Sequence, residues 1–138
     1  MNLQLLPSDI EAYLKEVKKS ILSGHYAIAR NRNRSENEQL FLDYVLSEST
    51  AREILLSLTV EDFSEIRFNR HPGYEHELLY IFGKDVRLLE RFGSQIRNVS
   101  LYIKFNKLGN QFVIVISFHE QHHPLSHPFR TSYVQQEV

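Results

Sequence analysis

"NVSLYIKFNKLGNQFVIVISFHE", Asn98–Glu120, decides the fold. Its first part alternates: Leu101, Ile103 and Phe105 fall on one side, Tyr102 and Lys104 on the other, which is the period of a half-buried strand. "NKLGNQ" breaks the pattern, with Gly109-Asn110 as a hairpin centre. "QFVIVISF" is a continuous apolar run rich in β-branched residues and suits a central strand. A loop of two or four residues would place odd positions of one strand opposite even positions of the other. Leu101, Ile103 and Phe105 would then meet Phe118, Ile116 and Ile114 on one apolar face. Tyr102, Lys104, Val115, Ser117 and His119 would share the other face, with Tyr102 and His119 direct or diagonal neighbours about 5–8 Å apart.

Outward from the hairpin, "ELLYIFGKDV", Glu77–Val86, reads as a further strand. Upstream the period becomes helical. Ser8-Asp9 looks like a cap, followed by Ile10, Tyr13, Leu14, Val17, Ile21 and Leu22, with Gly24 as the stop. "HYAIAR", His25–Arg30, suits a short strand, and "NRNRSENE" a loop in which Ser35 and Glu38 form a capping box. A second helix then carries Leu40, Phe41, Tyr44 and Val45. A third opens at Ser49 or Thr50 and runs through Ile54, Leu55 and Leu58. Thr59–Asp62 resembles one more helix start, with Phe63 and Ile66 as its anchors. Helices first and an antiparallel sheet second define an α+β layout. We read residues 1–120 as one α+β domain and 121–138 as an irregular tail.

The 138 residues suit a single core, and 42% hydrophobic content argues against disorder along the whole chain. The lack of cysteine excludes disulfides and thiolate metal sites. No stretch reads as a signal peptide or a membrane span, so a soluble cytoplasmic protein is expected, with no membrane partner. Net charge is −1, but residues 1–90 carry −4 and residues 91–138 carry +3. No acid occurs from Arg91 to His119, while Arg91, Arg97, Lys104 and Lys107 do. Such a locally basic surface can attract phosphate; chance clustering on a solvated face is the simpler explanation.

His119-Glu120-Gln121-His122-His123 spells the zinc-peptidase pattern His-Glu-x-x-His. That pattern needs a helix, so that residues four apart reach one zinc. Here strand character precedes His119, and Pro124 disfavours helix after His123. Extended residues four apart lie about 13 Å from each other, too far to share an ion. We therefore expect no zinc held jointly by His119 and His123, and no cofactor. A tail site of His122, His123 and His127 is the remaining metal alternative.

A histidine, a tyrosine and a lysine on one face suit RNA cleavage, which needs proton transfer and stabilisation of a phosphorane. Tyr102 and Lys104 as ordinary exposed strand residues are the plainer account on chemistry alone. On the non-core face, His119 is expected to give up little burial when replaced.

Three segments resemble the motility quorum-sensing regulator toxins, messenger-RNA-cleaving toxins with a RelE-like α+β fold. "SLTVEDFSEI", Ser57–Ile66, is similar to that family's Leu-Ser-x-x-Asp-Phe-x-Lys. "SLYIKF", Ser100–Phe105, is similar to its Val-Tyr-Leu-Lys-Ile strand. "VIVISFHE", Val113–Glu120, is similar to its last strand, in which a basic residue follows Ser-Phe. "VKKSILSGHYAIAR", Val17–Arg30, fits its first helix and the strand after it. The resemblance implies a metal-free endoribonuclease of a type II toxin–antitoxin system. Its catalytic residues would be His119, Tyr102 and Lys104. RNA would be held by Arg67, standing in for a family lysine whose place holds Glu65, and by Arg91, Arg97 and Lys107 of the basic stretch. The partners implied are messenger RNA and a cognate antitoxin, with homodimerisation left open. A non-catalytic protein–protein interaction module of the same fold is the alternative.

Overall fold

The computed structural model describes residues 4–109 and 111–130. Helix α1 (Pro7–Leu22) leads into strand β1 (Tyr26–Ile28), followed by α2 (Ser35–Asp43) and α3 (Glu48–Leu56). Strands β2 (Phe63–Phe68), β3 (Leu78–Leu89), β4 (Ile96–Leu108) and β5 (Phe112–Glu120) complete an α+β fold. The sheet order is β1-β5-β4-β3-β2. It is mixed rather than purely antiparallel, because β1 runs parallel to β5. Among the described residues no helix is long and apolar enough to cross a membrane.

One face of the sheet carries the core. Ile10, Val17 and Ile21 of α1 and Leu55 of α3 are fully buried with Leu101, Ile103, Phe105, Val113, Val115 and Phe118 of the hairpin. Full burial of such a side chain is worth about 1.5–3 kcal/mol, so a slip of the hairpin that turned these six outward is heavily disfavoured.

The hairpin differs from expectation in a way that matters for the site. Three residues, not two or four, separate the paired Leu108 and Phe112, and Gly109 takes the positive φ (64°) that the turn requires. Asn110 lies outside the described residues. Near the turn Lys107 pairs with Val113 and Phe105 with Val115, so Val113 and Val115 enter the core. Ile114 and Ile116, expected in the core, are only half-buried on the other face. A bulge then leaves Ile116 unpaired, and beyond it Lys104 pairs with Ser117, Ile103 with Phe118 and Tyr102 with His119. The extra residue returns Ser117 and His119 to the face of Tyr102 and Lys104.

Helix α2 secures this geometry. Asn37, 1% exposed, reaches into the gap where β1 ends. Its amide donates to Ala29 O (2.7 Å) and Ile116 O (2.9 Å), and its Oδ1 accepts from Phe118 N (2.8 Å). One side chain thus satisfies backbone groups of β5 at the bulge residue and just beyond it.

The ends of the helices also differ from expectation. In α1, Leu6 is the capping residue, Pro7 takes the first turn, and Asp9 accepts from Leu6 N (2.8 Å). Ser35 already lies inside α2, and Glu38 pairs with Arg30 (2.9 Å) instead of closing a capping box. Ser47, not Ser49 or Thr50, caps α3 by accepting from Thr50 N. Residues Val60–Asp62 form a single 3-10 turn that feeds β2. The expected fourth helix is therefore a strand.

The tail from Gln121 to Arg130 has no regular structure but packs onto the domain. Gln121 N donates to Ser100 O (2.8 Å) and its side-chain amide to Leu101 O (3.0 Å). Gly83 lies opposite Tyr102, and a Cβ there would come within 2.8 Å of Leu125 and 3.1 Å of His127. A side chain at this position would have to push those side-chain tips aside, so glycine favours the close crossing of the tail. Phe129 then stacks on Phe63, with ring centroids 5.7 Å apart. Residues 131–138, the rest of the expected tail, lie outside the described residues.

Candidate functional site on the open face

Among the described residues, helices cover one face of the sheet, and the opposite face stays open apart from the crossing tail. Two adjoining hollows lie on it, of about 560 and 690 Å³. Arg34, Arg67 and Lys104 line both, so together they make one groove with cations at its middle. Tyr102, Ser117 and His119 line one end, and Arg70, His71 and Tyr74 the other.

The sheet register makes Tyr102 and His119 direct partners, and their rings stack at 5.2 Å with an 11° interplanar angle. His119 is only 9% exposed. Its replacement therefore does remove burial, contrary to what a strand-end histidine beside a polar tail suggested. Its Nδ1 lies 2.8 Å from Glu120 O. A carbonyl oxygen only accepts, so Nδ1 carries a proton and the neutral ring keeps its lone pair on Nε2. Nε2 is 3.8 Å from Glu36 Oε1, beyond hydrogen-bond reach.

Burial raises the Tyr102 phenol above the ordinary tyrosine value; Arg67 opposes the shift and Glu65 adds to it. Tyr102 is thus a neutral donor near neutral pH. Lys104 is pushed below the ordinary lysine value, chiefly by burial and further by Arg34 and Arg67. Arg67 is held by Glu65 (2.9 Å), which raises its pKa. The groove therefore gathers cations that repel one another, an arrangement that an incoming phosphate relieves.

Of the residues singled out in the sequence, His119, Tyr102, Lys104 and Arg67 come together here. Arg91, Arg97 and Lys107 line neither hollow. Arg91 donates to Phe41 O, Leu42 O and Tyr44 O and so satisfies carbonyls at the end of α2. Arg97 pairs with Glu90 (3.2 Å), and Lys107 with Glu16 of α1 (2.7 Å). Arg34, Glu36 and Ser64 line the groove unforeseen. Arg34 and Glu36 sit in a polar loop and helix start with no periodic signal, and only the docking of α2 on β5 brings them there.

The pattern His-Glu-x-x-His lies on the end of β5 and the irregular tail, not on a helix, so the peptidase geometry is absent. Protein-family models, curated proteins and solved structures yield no match to this chain.

Proposed function

We propose that the chain is a toxin-like endoribonuclease that cleaves single-stranded messenger RNA without a metal. The observation that carries this reading is the stacked Tyr102–His119 pair beside Lys104, Arg34 and Arg67 in one open groove. In this reading His119 Nε2 takes the proton of a ribose 2′-OH, and the 2′-oxygen attacks the adjacent phosphorus. Lys104, Arg34 and Arg67 stabilise the charge that gathers on the phosphorane oxygens. The P–O5′ bond breaks, and the Tyr102 phenol gives its proton to the leaving oxygen. The imidazolium then returns a proton to the phenolate, which restores the starting state and leaves a 2′,3′-cyclic phosphate. His71 and Tyr74, whose rings lie 5.4 Å apart at the far end, offer stacking surfaces for flanking bases.

The sequence resemblance to the motility quorum-sensing regulator toxins points the same way. It implies a bacterial type II toxin–antitoxin system, a cytoplasmic setting and a cognate antitoxin as protein partner. The test is incubation of single-stranded RNA with the purified chain in EDTA, with analysis of the product ends. Cleavage to 2′,3′-cyclic phosphate and 5′-hydroxyl ends is expected. Intact RNA at all protein concentrations would contradict the reading and favour a non-catalytic interaction module.

A further inference from the structure

Glu36, His119 and His122 bring one carboxylate and two imidazoles together at the lip of the groove, with ligand atoms all within 4.8 Å of one another. Glu36 lies in the first turn of α2, and the neighbouring Asn37 bonds Ile116 O and Phe118 N. The helix start is therefore fixed against the strand that carries His119. The two oxygens of Glu36 face different rings: Oε1 lies 3.8 Å from His119 Nε2, and Oε2 contacts His122 Nε2.

We propose that these three residues form a binding site for a late first-row divalent cation, with zinc as its reference ligand. Three observations carry this. The His119 tautomer is already set by Glu120 O, so its Nε2 lone pair is available; a metal-bound histidine commonly has such an outer partner on its other nitrogen. The donor set of two imidazoles and one carboxylate suits zinc and its neighbours rather than magnesium or calcium. The needed adjustment is small. Tetrahedral zinc at about 2.0–2.1 Å from each donor holds ligand atoms roughly 3.3 Å apart. The side chains of Glu36 and His122 are 54% and 65% exposed and free to close in, while that of His119, 11% exposed, stays in place. Three protein ligands leave a fourth position for water or a substrate oxygen.

This site differs from both metal patterns legible in the sequence. It takes His119 with His122, not His123, and recruits a glutamate more than eighty residues away. Occupancy would also have a consequence, which rests on the ribonuclease reading: a His119 Nε2 bound to zinc has no lone pair left to accept a proton. Zinc would then inhibit RNA cleavage and pin the start of the tail against α2.

Untagged protein is titrated with zinc, with binding read by calorimetry and by metal content after dialysis. Stoichiometric binding is expected. Glu36→Ala and His122→Ala should each weaken it about 10-fold or more, while His123→Ala should leave it unchanged. Absence of stoichiometric zinc, or equal affinity in the two ligand variants and wild type, would overturn the site. Circular dichroism checks that the variants fold, and imidazole NMR shifts of His119 and His122 upon zinc addition give a second readout in wild type. Zinc binding with this variant pattern and no RNA cleavage under any condition would keep the site and reject the ribonuclease reading. Cleavage that persists at saturating zinc would reject the inhibition.

Discussion

The two faces of the sheet obey different rules. The helix-covered face is apolar and closely packed: Phe82, Leu101, Ile103, Phe105 and Phe118 are all fully buried there. The open face holds Tyr102, Lys104 and His119 together with Arg67, and burial acts as a cost on two of them, visible in the depressed Lys104 and the raised Tyr102. Neighbouring residues of the same strands thus build the core on one side and the proposed site on the other. The bulge at Ile116 makes this division possible, because it lets β5 fill the core near the turn and still present His119 to Tyr102 at its far end.

That comparison can be broken by substitutions on either face. The largest expected effect is His119→Ala, which removes the proposed base and should lower the RNA cleavage rate by about 10²–10⁴-fold. Loss of its ring contact with Tyr102 should cost stability as well, by roughly 1 kcal/mol, so folding is checked by thermal denaturation. His123→Ala should leave the rate near that of wild type. An unchanged rate in folded His119→Ala would move the chemistry elsewhere.

Next come the cations. Arg67→Gln and Arg34→Gln should each weaken RNA binding about 10-fold or more, the value of a charge-assisted hydrogen bond of ~1.5–3 kcal/mol. Each should also make the dependence of affinity on salt shallower. Arg97→Gln, at the other end of the sheet, should change neither. Equal losses in all three variants would mean that diffuse charge rather than the groove holds RNA.

Asn37→Ala sharpens the comparison from the side of stability. It strands the buried Phe118 N–H and the carbonyls of Ala29 and Ile116, and should cost about 1–3 kcal/mol in chemical denaturation. A smaller loss would show that water takes over the role of the side chain.

The smallest effect concerns Lys104→Met. In the folded protein the Lys104 pKa lies below its unfolded value, so folding pays to keep it charged at neutral pH. That penalty is fully present below the folded pKa. It fades as pH rises and is gone above the unfolded value of about 10.4. Lys104→Met should therefore stabilise the fold at pH 7, and the gain should shrink as the pH approaches that value, while RNA affinity falls. A destabilised variant at pH 7 would mean that Lys104 contributes packing or pairing that outweighs its burial.

The legible parts of the molecule were those with one clear period. The alternation of Leu101–Phe105 fixed which face of β4 is buried, and the spacing from Ile10 to Ile21 fixed α1. The run Val113–Ile116 was silent about its faces, because apolar residues fill both, so neither the three-residue turn nor the bulge left a trace. Strand β2 was hidden for a related reason. Its register shift between Phe63 and Glu65 breaks the period of two, and Phe63 and Ile66 then fall at helical spacing. In the site, the strand residues Tyr102, Lys104 and His119 were accessible from register alone. Arg34 and Glu36 were not, because their place depends on how a polar helix start docks eighty residues away.

The most direct test of the open face is its footprint with RNA that cannot react. A short single-stranded RNA carrying 2′-O-methyl groups at every position, which blocks the 2′-oxygen nucleophile, is titrated into isotope-labelled protein, and backbone amide shifts are followed by NMR. Shifts concentrated on Tyr102, Lys104, Ser117, His119 and Arg67 are predicted, with Arg97 and the exposed Phe92, in the turn between β3 and β4, unaffected. Shifts centred on the Phe92–Arg97 end or on the outer face of α1, or no shifts at millimolar RNA, would contradict the account.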